Sequence, residues 1–249
     1  MQTVIIGSGN VAYHFAKAFV LNAIPVAQIF GRNEEQLKSI SEELHIPFST
    51  KKLNESDIYI ICVSDESVGE VSRLITEKNC LVAHTSGSLP IDILAGKYRK
   101  SSLYPLQTFS KLKTLDYHQI PFFIEAENRE DMKTLSDIAS AISRNVMEST
   151  YEKRKYIHLT AVFACNFVNH LFSRAKEISD AQEIPFDYFL PLIDETVQKI
   201  HEIEPKSAQT GPAVRNDKRI LELHEQLLKD ESLDIYKTMN HSIQKMYEL

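Results

Sequence analysis

A chain of 249 residues, 43% of them hydrophobic and 25% charged, has the balance of a folded globular protein and enough length to bury a large core. Its formal net charge of -6 argues against a sequence-independent grip on nucleic acid, and its apolar runs are far shorter than the roughly 20 residues that a membrane span requires. Cys62, Cys80 and Cys165 are scattered and make no metal-ligand pair; with Met1 leading almost at once into a strand, the chain reads as cytoplasmic, without a signal peptide, metal, membrane or nucleic-acid partner.

The first apolar run, Thr3–Ile6, predicts a strand, and Asn10–Leu21 an amphipathic helix. Between them, Gly7, Gly9 and Ala12 form G-x-G-x-x-A. The first glycine permits a tight turn out of a strand, the second lets the backbone approach a pyrophosphate, and the small third residue lets the helix pack on the strand. The start of the helix points free N–H groups and its positive dipole end at that phosphate. A strand before, a helix after and a second strand beyond make this a dinucleotide-binding turn, with Gly7, Ser8, Gly9, Asn10, Val11 and Ala12 as the expected cofactor contacts.

The next strand, Val26–Phe30, ends in Gly31-Arg32-Asn33. NAD sites place Asp or Glu about 20 residues beyond the motif. Arg32 instead offers a planar donor fork suited to a 2′-phosphate, so the expected cofactor is NADP(H); the alternative has Glu34 or Glu35 serving the ribose. After a helix over Glu34–Leu44, strands are predicted at 58–63 and 81–85, the first followed by Ser64-Asp65 and the second by Ser86-Gly87-Ser88, with a helix at 67–76 between them. Ligands of open parallel sheets lie beyond the carboxyl ends of the strands. Val63, Ser64, His84 and Ser86 are therefore expected beside the nicotinamide half of the cofactor, with helix caps or turn hydrogen bonds as the alternative role for the polar ones.

Further strands are predicted at 102–106, Phe122–Ala126 and 145–148, and a helix at 129–143. Strand–helix alternation at this spacing predicts an α/β domain over residues 1–150, a Rossmann-type doubly wound, mainly parallel sheet. After Tyr151 the strand signal stops. Helices at 152–181, 187–202 and 217–247, the last broken near Ser232, predict an all-α domain over 151–249. No obvious linker joins the halves, which predicts close packing around a cleft.

At 100° per residue, Lys155, His158, Val162, Cys165, Asn166, Asn169 and Ser173 fall on one stripe of an otherwise apolar helix. Such a polar seam on a buried helix could wall a polar substrate, or it could be a satisfied core contact between helices. Arg215 could bind a carboxylate or phosphate, or pair with an acid across a subunit contact.

Taken in order, G-x-G-x-x-A at Gly7 to Ala12, HTSGS at His84 to Ser88, YPLQTF at Tyr104 to Phe109, YIHLTAVFACNF at Tyr156 to Phe167 and TGPAVRND at Thr210 to Asp217 resemble an uncharacterised family provisionally assigned as NADP-dependent oxidoreductases. Its members pair a Rossmann domain with a helical C-terminal domain of unknown function. The chain is more distantly similar to pyrroline-5-carboxylate reductase, ketopantoate reductase and the 6-phosphogluconate dehydrogenase-like group. The resemblance implies hydride transfer from NADPH in a cleft between the domains, in a homodimer joined through the helical domains. The β-hydroxyacid dehydrogenases and ketopantoate reductases use a lysine early on the long helix with an asparagine nearby. Here His158 occupies the comparable region, Asn166 lies two turns further on and Lys155 one turn earlier.

The expected function is therefore NADPH-dependent reduction of a C=O or C=N bond in a small anionic metabolite. An imidazole changes charge near neutrality, so His158 is assigned as the proton donor, with Lys155 as the competing candidate. Asn166 is assigned to position the substrate and Arg215 to bind its anionic group. A non-catalytic NADP(H)-binding redox sensor or regulatory protein is the alternative; a deazaflavin-linked oxidoreductase is disfavoured by Arg32.

Overall fold

The computed structural model describes all 249 residues, Met1–Leu249. Thr3–Ile6 (β1), Val26–Phe30 (β2), Phe48–Ser49 (β3), Ile58–Ile61 (β4), Leu81–His84 (β5) and Arg99–Pro105 (β6) pair in parallel. Phe122–Ala126 (β7) runs antiparallel to β6, and Val146–Glu148 (β8) runs parallel to β7. Across the sheet the order is β3-β2-β1-β4-β5-β6-β7-β8. The order reverses between β1 and β4, the topological switch point at which open α/β sheets bind their ligands.

Every residue of β1, β4 and β5 is buried, as parallel strands covered on both faces must be. Side chains alternate between two cores. Ile5 joins Phe15 and Phe19 of α1 (Asn10–Leu21), Leu37 of α2 (Glu34–Leu44) and Leu135 of α4 (Arg129–Ile142). Val4 and Ile6 face the other way, onto Val68 of α3 (Asp65–Ser72) and the Tyr98 ring. The protein thus has the Rossmann-type α/β sheet followed by helices that its sequence patterning predicts.

The chain divides into two compact units, Met1–Asn166 and Phe167–Leu249. The predicted helix over 152–181 is three segments: α5 (Tyr151–Ala161), a π-helical turn (Val162–Phe167) and α6 (Val168–Asp180). The π turn closes i→i+5 hydrogen bonds, so the 100° rule fails within it and the polar stripe drawn from Lys155 to Ser173 is interrupted. Nor is the helix buried: Tyr156 and Phe163 are each 63% exposed. The second unit continues with α7 (Leu190–Glu202), α8 (Pro205–Ala208), α9 (Lys218–Leu227) and α10 (Asp230–Met246). The last break falls at residues 228 and 229, where the backbone is extended, rather than near Ser232. No helix is long and apolar enough to cross a membrane, and no three His, Cys, Asp or Glu side chains cluster to hold a metal.

Candidate active site

A cleft of about 510 Å³ opens at the carboxyl ends of β1, β2 and β4, at the switch point. Gly7, Ser8, Gly9, Asn10, Val11, Arg32, Val63 and Ser64 line it. Gly7 has φ +139°, and a Cβ there would stand 2.3 Å from the Cys62 carbonyl oxygen, so only glycine carries the chain through this crossing. A Cβ on Gly9 would meet nothing within 4 Å: its bare backbone faces open space, as a diphosphate cradle must. Ala12 does not reach the cleft. It is fully buried and sits 3.3 Å from where a Gly7 Cβ would be, so its small size serves helix–strand packing.

Asn33, Asn128, Thr150 and Asp217 cap α2, α4, α5 and α9 with their side chains, whereas Gly9 gives α1 no side-chain cap and its first turn holds no acid. The first-turn amides of α1 are thus open to an anionic ligand. At the far corner Arg32 is exposed and makes no ion pair, while Asn33 accepts the Gln36 N–H at 3.1 Å. Glu34 and Glu35 do not line the cleft, whereas Glu70 does. Val71 and Leu74 add an apolar wall. These features fit a dinucleotide: donors for a diphosphate, a cation for a ribose phosphate and apolar surface for a base.

The second cluster lies over the ends of β5 and β6. Tyr104 Oη and His158 Nδ1 are 3.1 Å apart, and the two rings meet edge-on at 6.0 Å. Gly87 lies beneath them; a Cβ there would stand 2.8 Å from both His158 Cβ and Tyr104 Cζ. Three motifs far apart in sequence thus converge, and Gly87 is glycine for lack of room. Burial pushes the Tyr104 hydroxyl up to about 12, with Arg154 opposing, so it stays a neutral phenol.

Arg154, one turn before His158, is completely buried. It forms an ion pair with Glu125 of β7 and donates to the Leu89 carbonyl at 2.6 Å. The other Glu125 oxygen accepts the Tyr151 N–H at 3.1 Å. These bonds pin the start of α5 to the sheet and thereby hold His158 against Tyr104.

The remaining predicted residues separate. His84 does not flank the cleft: its ring is wholly buried, and Nδ1 accepts the Ser86 N–H at 3.2 Å. Ser86 also lies outside the cleft lining and uses its hydroxyl to accept the Ser88 N–H at 3.0 Å, which is the turn role. Ser64 lines the cleft and meets the Ser67 hydroxyl at 3.0 Å. Lys155 is held in an ion pair with Glu152 at 2.5 Å, which raises its pKa, and lies against the rings of Tyr151 and Tyr156. Asn166 is exposed in the π turn, and Arg215 is exposed in the helical unit. Tyr104, Arg154 and Glu125 carry no assignment in the sequence reading. Tyr104 lies within a quoted motif, but an arginine and a glutamate 29 positions apart give no local signal.

Residues 120–243 match a domain of unknown function, DUF2520. A provisionally named NADP oxidoreductase from Bacteroides fragilis is 38% identical, with 98% of each chain covered and a TM-score of 0.94. The chain belongs to this uncharacterised oxidoreductase family. The DUF2520 match begins just before β7 and so includes Glu125, Arg154 and His158. A Thermotoga maritima protein shares the fold at 22% identity, over 99% of this chain and 100% of its own, with a TM-score of 0.82. The 1-pyrroline-5-carboxylate reductase of Streptococcus pyogenes shares it at 15% identity, over 100% and 99%, with a TM-score of 0.66. No curated protein matches the chain.

Proposed function

We propose that this member of the DUF2520 family is an NADPH-dependent reductase acting on a C=O or C=N bond of a small anionic metabolite. The observation that carries this reading is the presence, at the carboxyl ends of the central strands, of an uncapped glycine turn and an unpaired Arg32, and of a His158–Tyr104 couple held over the ends of β5 and β6. The name of the 38% identical relative supports the choice of NADP.

A bound nicotinamide supplies the hydride. The chain supplies the proton. In the imidazolium form of His158, Nδ1–H donates to the Tyr104 oxygen and Nε2–H is left for the substrate. Once Nε2–H has passed to the product oxygen or nitrogen, the neutral ring keeps its Nδ1 proton, the tautomer that the Tyr104 oxygen holds. Lys155, engaged by Glu152, is the weaker choice of acid. Asn166 and Arg215 are proposed as substrate contacts, each tested by a rise in KM with NADPH affinity intact.

The test is a screen of carbonyl and imine metabolites followed by NADPH absorbance. His158→Ala is expected to lower turnover by about 10²–10⁴ with an unchanged NADPH Kd. Unchanged turnover would remove His158 as the acid. Tight NADPH binding with no substrate turned over would favour the redox-sensor reading.

We also propose a homodimer formed through the helical unit. Its support is apolar exposure: Tyr188 is 76% and Leu192 64% exposed, and Ile178 and Leu227 line a second cleft of about 630 Å³ within that unit.

A further inference from the structure

The loop after β6, residues 106–116, lies against the glycine turn. Asn10 Nδ2 donates to the Phe109 carbonyl at 3.0 Å. The His14 ring nitrogens meet the Ser110 carbonyl at 2.9 Å and the Tyr117 hydroxyl at 2.8 Å. These bonds fix the loop on α1 and carry Lys111 to the turn itself, where its Nζ donates to the Ser8 carbonyl at 2.8 Å.

Lys111 is a half-buried cation with no ion pair. Burial lowers its pKa from the ordinary lysine value, and no carboxylate offsets this. An ammonium taken from water without a counter-charge is unfavourable unless another group supplies the anion. Lys111 is not itself among the cleft-lining residues; it is bonded to Ser8, which is, and with one of its three N–H groups committed there two remain. Next to Ser8, the bare backbone of Gly9 faces open space and the first turn of α1 lacks both a side-chain cap and an acid.

We propose that Lys111 is a diphosphate-binding residue, its free N–H donors closing on phosphate oxygens beside the glycine turn. This rests on the dinucleotide reading of the cleft and extends it: the anion is gripped by a loop cation as well as by main-chain amides, and the loop bonded to Asn10 and His14 is the arm that delivers it.

The test separates the two phosphate subsites. Kd values are measured for NADPH and for adenosine 2′-monophosphate, which carries the ribose phosphate but no diphosphate, on wild type, Lys111→Met and Lys111→Arg. Charge-assisted hydrogen bonds of this kind correspond to about a 10–100-fold change in affinity. Lys111→Met is expected to weaken NADPH by about that factor and to leave adenosine 2′-monophosphate within about twofold, while Lys111→Arg keeps most of the NADPH affinity. Equal NADPH affinity in wild type and Lys111→Met would overturn the assignment. So would a parallel loss of both ligands, which would make Lys111 a prop of the turn and not a ligand contact. Wild type that binds neither nucleotide would overturn the cleft reading itself, a result distinct from both.

Discussion

His84 has no exposed surface; its Nδ1 accepts one backbone N–H, and its Nε2 has no partner. Burial, and then the charge of Arg154, push its pKa down to about 3. An unfolded imidazole takes its proton near pH 6.5. Between these two values the unfolded chain binds the extra proton, so stability falls as the pH falls from about 6.5 toward 3, by about 1.4 kcal/mol per pH unit. Urea unfolding of wild type and His84→Asn at pH 7, 6 and 5 is expected to show the wild type losing stability more steeply on the acid side by about that slope. Parallel curves would contradict it. His14 is lowered in the same direction, also chiefly by burial, and stays in both proteins as a common background.

Among the residues proposed to bind the cofactor, Arg32 was legible because it stands at a fixed distance beyond a motif, at the end of an apolar strand. Lys111 was not, because it lies in a loop with no periodic pattern, and only the fold brings it 2.8 Å from a carbonyl 103 residues earlier. For His84 the position at a strand end was legible, but the burial of its ring was not.

At the scale of elements, β1, β4 and β5 were readable to within a few residues because they are nearly continuous apolar runs. β3 escaped notice, since two residues carry no period. The antiparallel turn of β7 has a physical trace in the sequence. Parallel neighbours need a crossover of a dozen or more residues, usually helical, and the stretch between β6 and β7 holds only a short 3₁₀ turn, Tyr117–Gln119. The π turn at Val162–Phe167 has no such trace and is what separates α5 from α6. α5 packs with the sheet because a buried arginine ties it there: removing one partner of such a pair typically costs about 3–5 kcal/mol. Arg154 is therefore the anchor that places His158.

At the scale of the whole molecule, the helical unit is short of buried apolar groups. Val197 and Ile200 of α7 are about half exposed, as are Ile178 of α6 and Leu223 of α9. Such exposure is what the proposed homodimer would cover. Light scattering on the purified protein is expected to return twice the mass of one chain, and a stable monomer at micromolar concentration would contradict the homodimer. The two candidate sites also differ in legibility at this scale. The nucleotide cleft rests on a local strand–turn–helix and could be read directly. The His158 cluster draws on Gly87, Tyr104, Glu125 and Arg154, which meet only once β5, β6, β7 and α5 are assembled.

The central claim is that the glycine turn and Arg32 together hold an NADP dinucleotide. It is tested most directly by fluorescence titration of the purified protein with NADPH and with NADH, alongside Arg32→Ala. Saturable binding is predicted, with NADPH tighter by about 10–100-fold, the range for a charge-assisted phosphate contact, and with that preference lost in Arg32→Ala. Equal or tighter binding of NADH by the wild type, or no saturable binding of either, would contradict it.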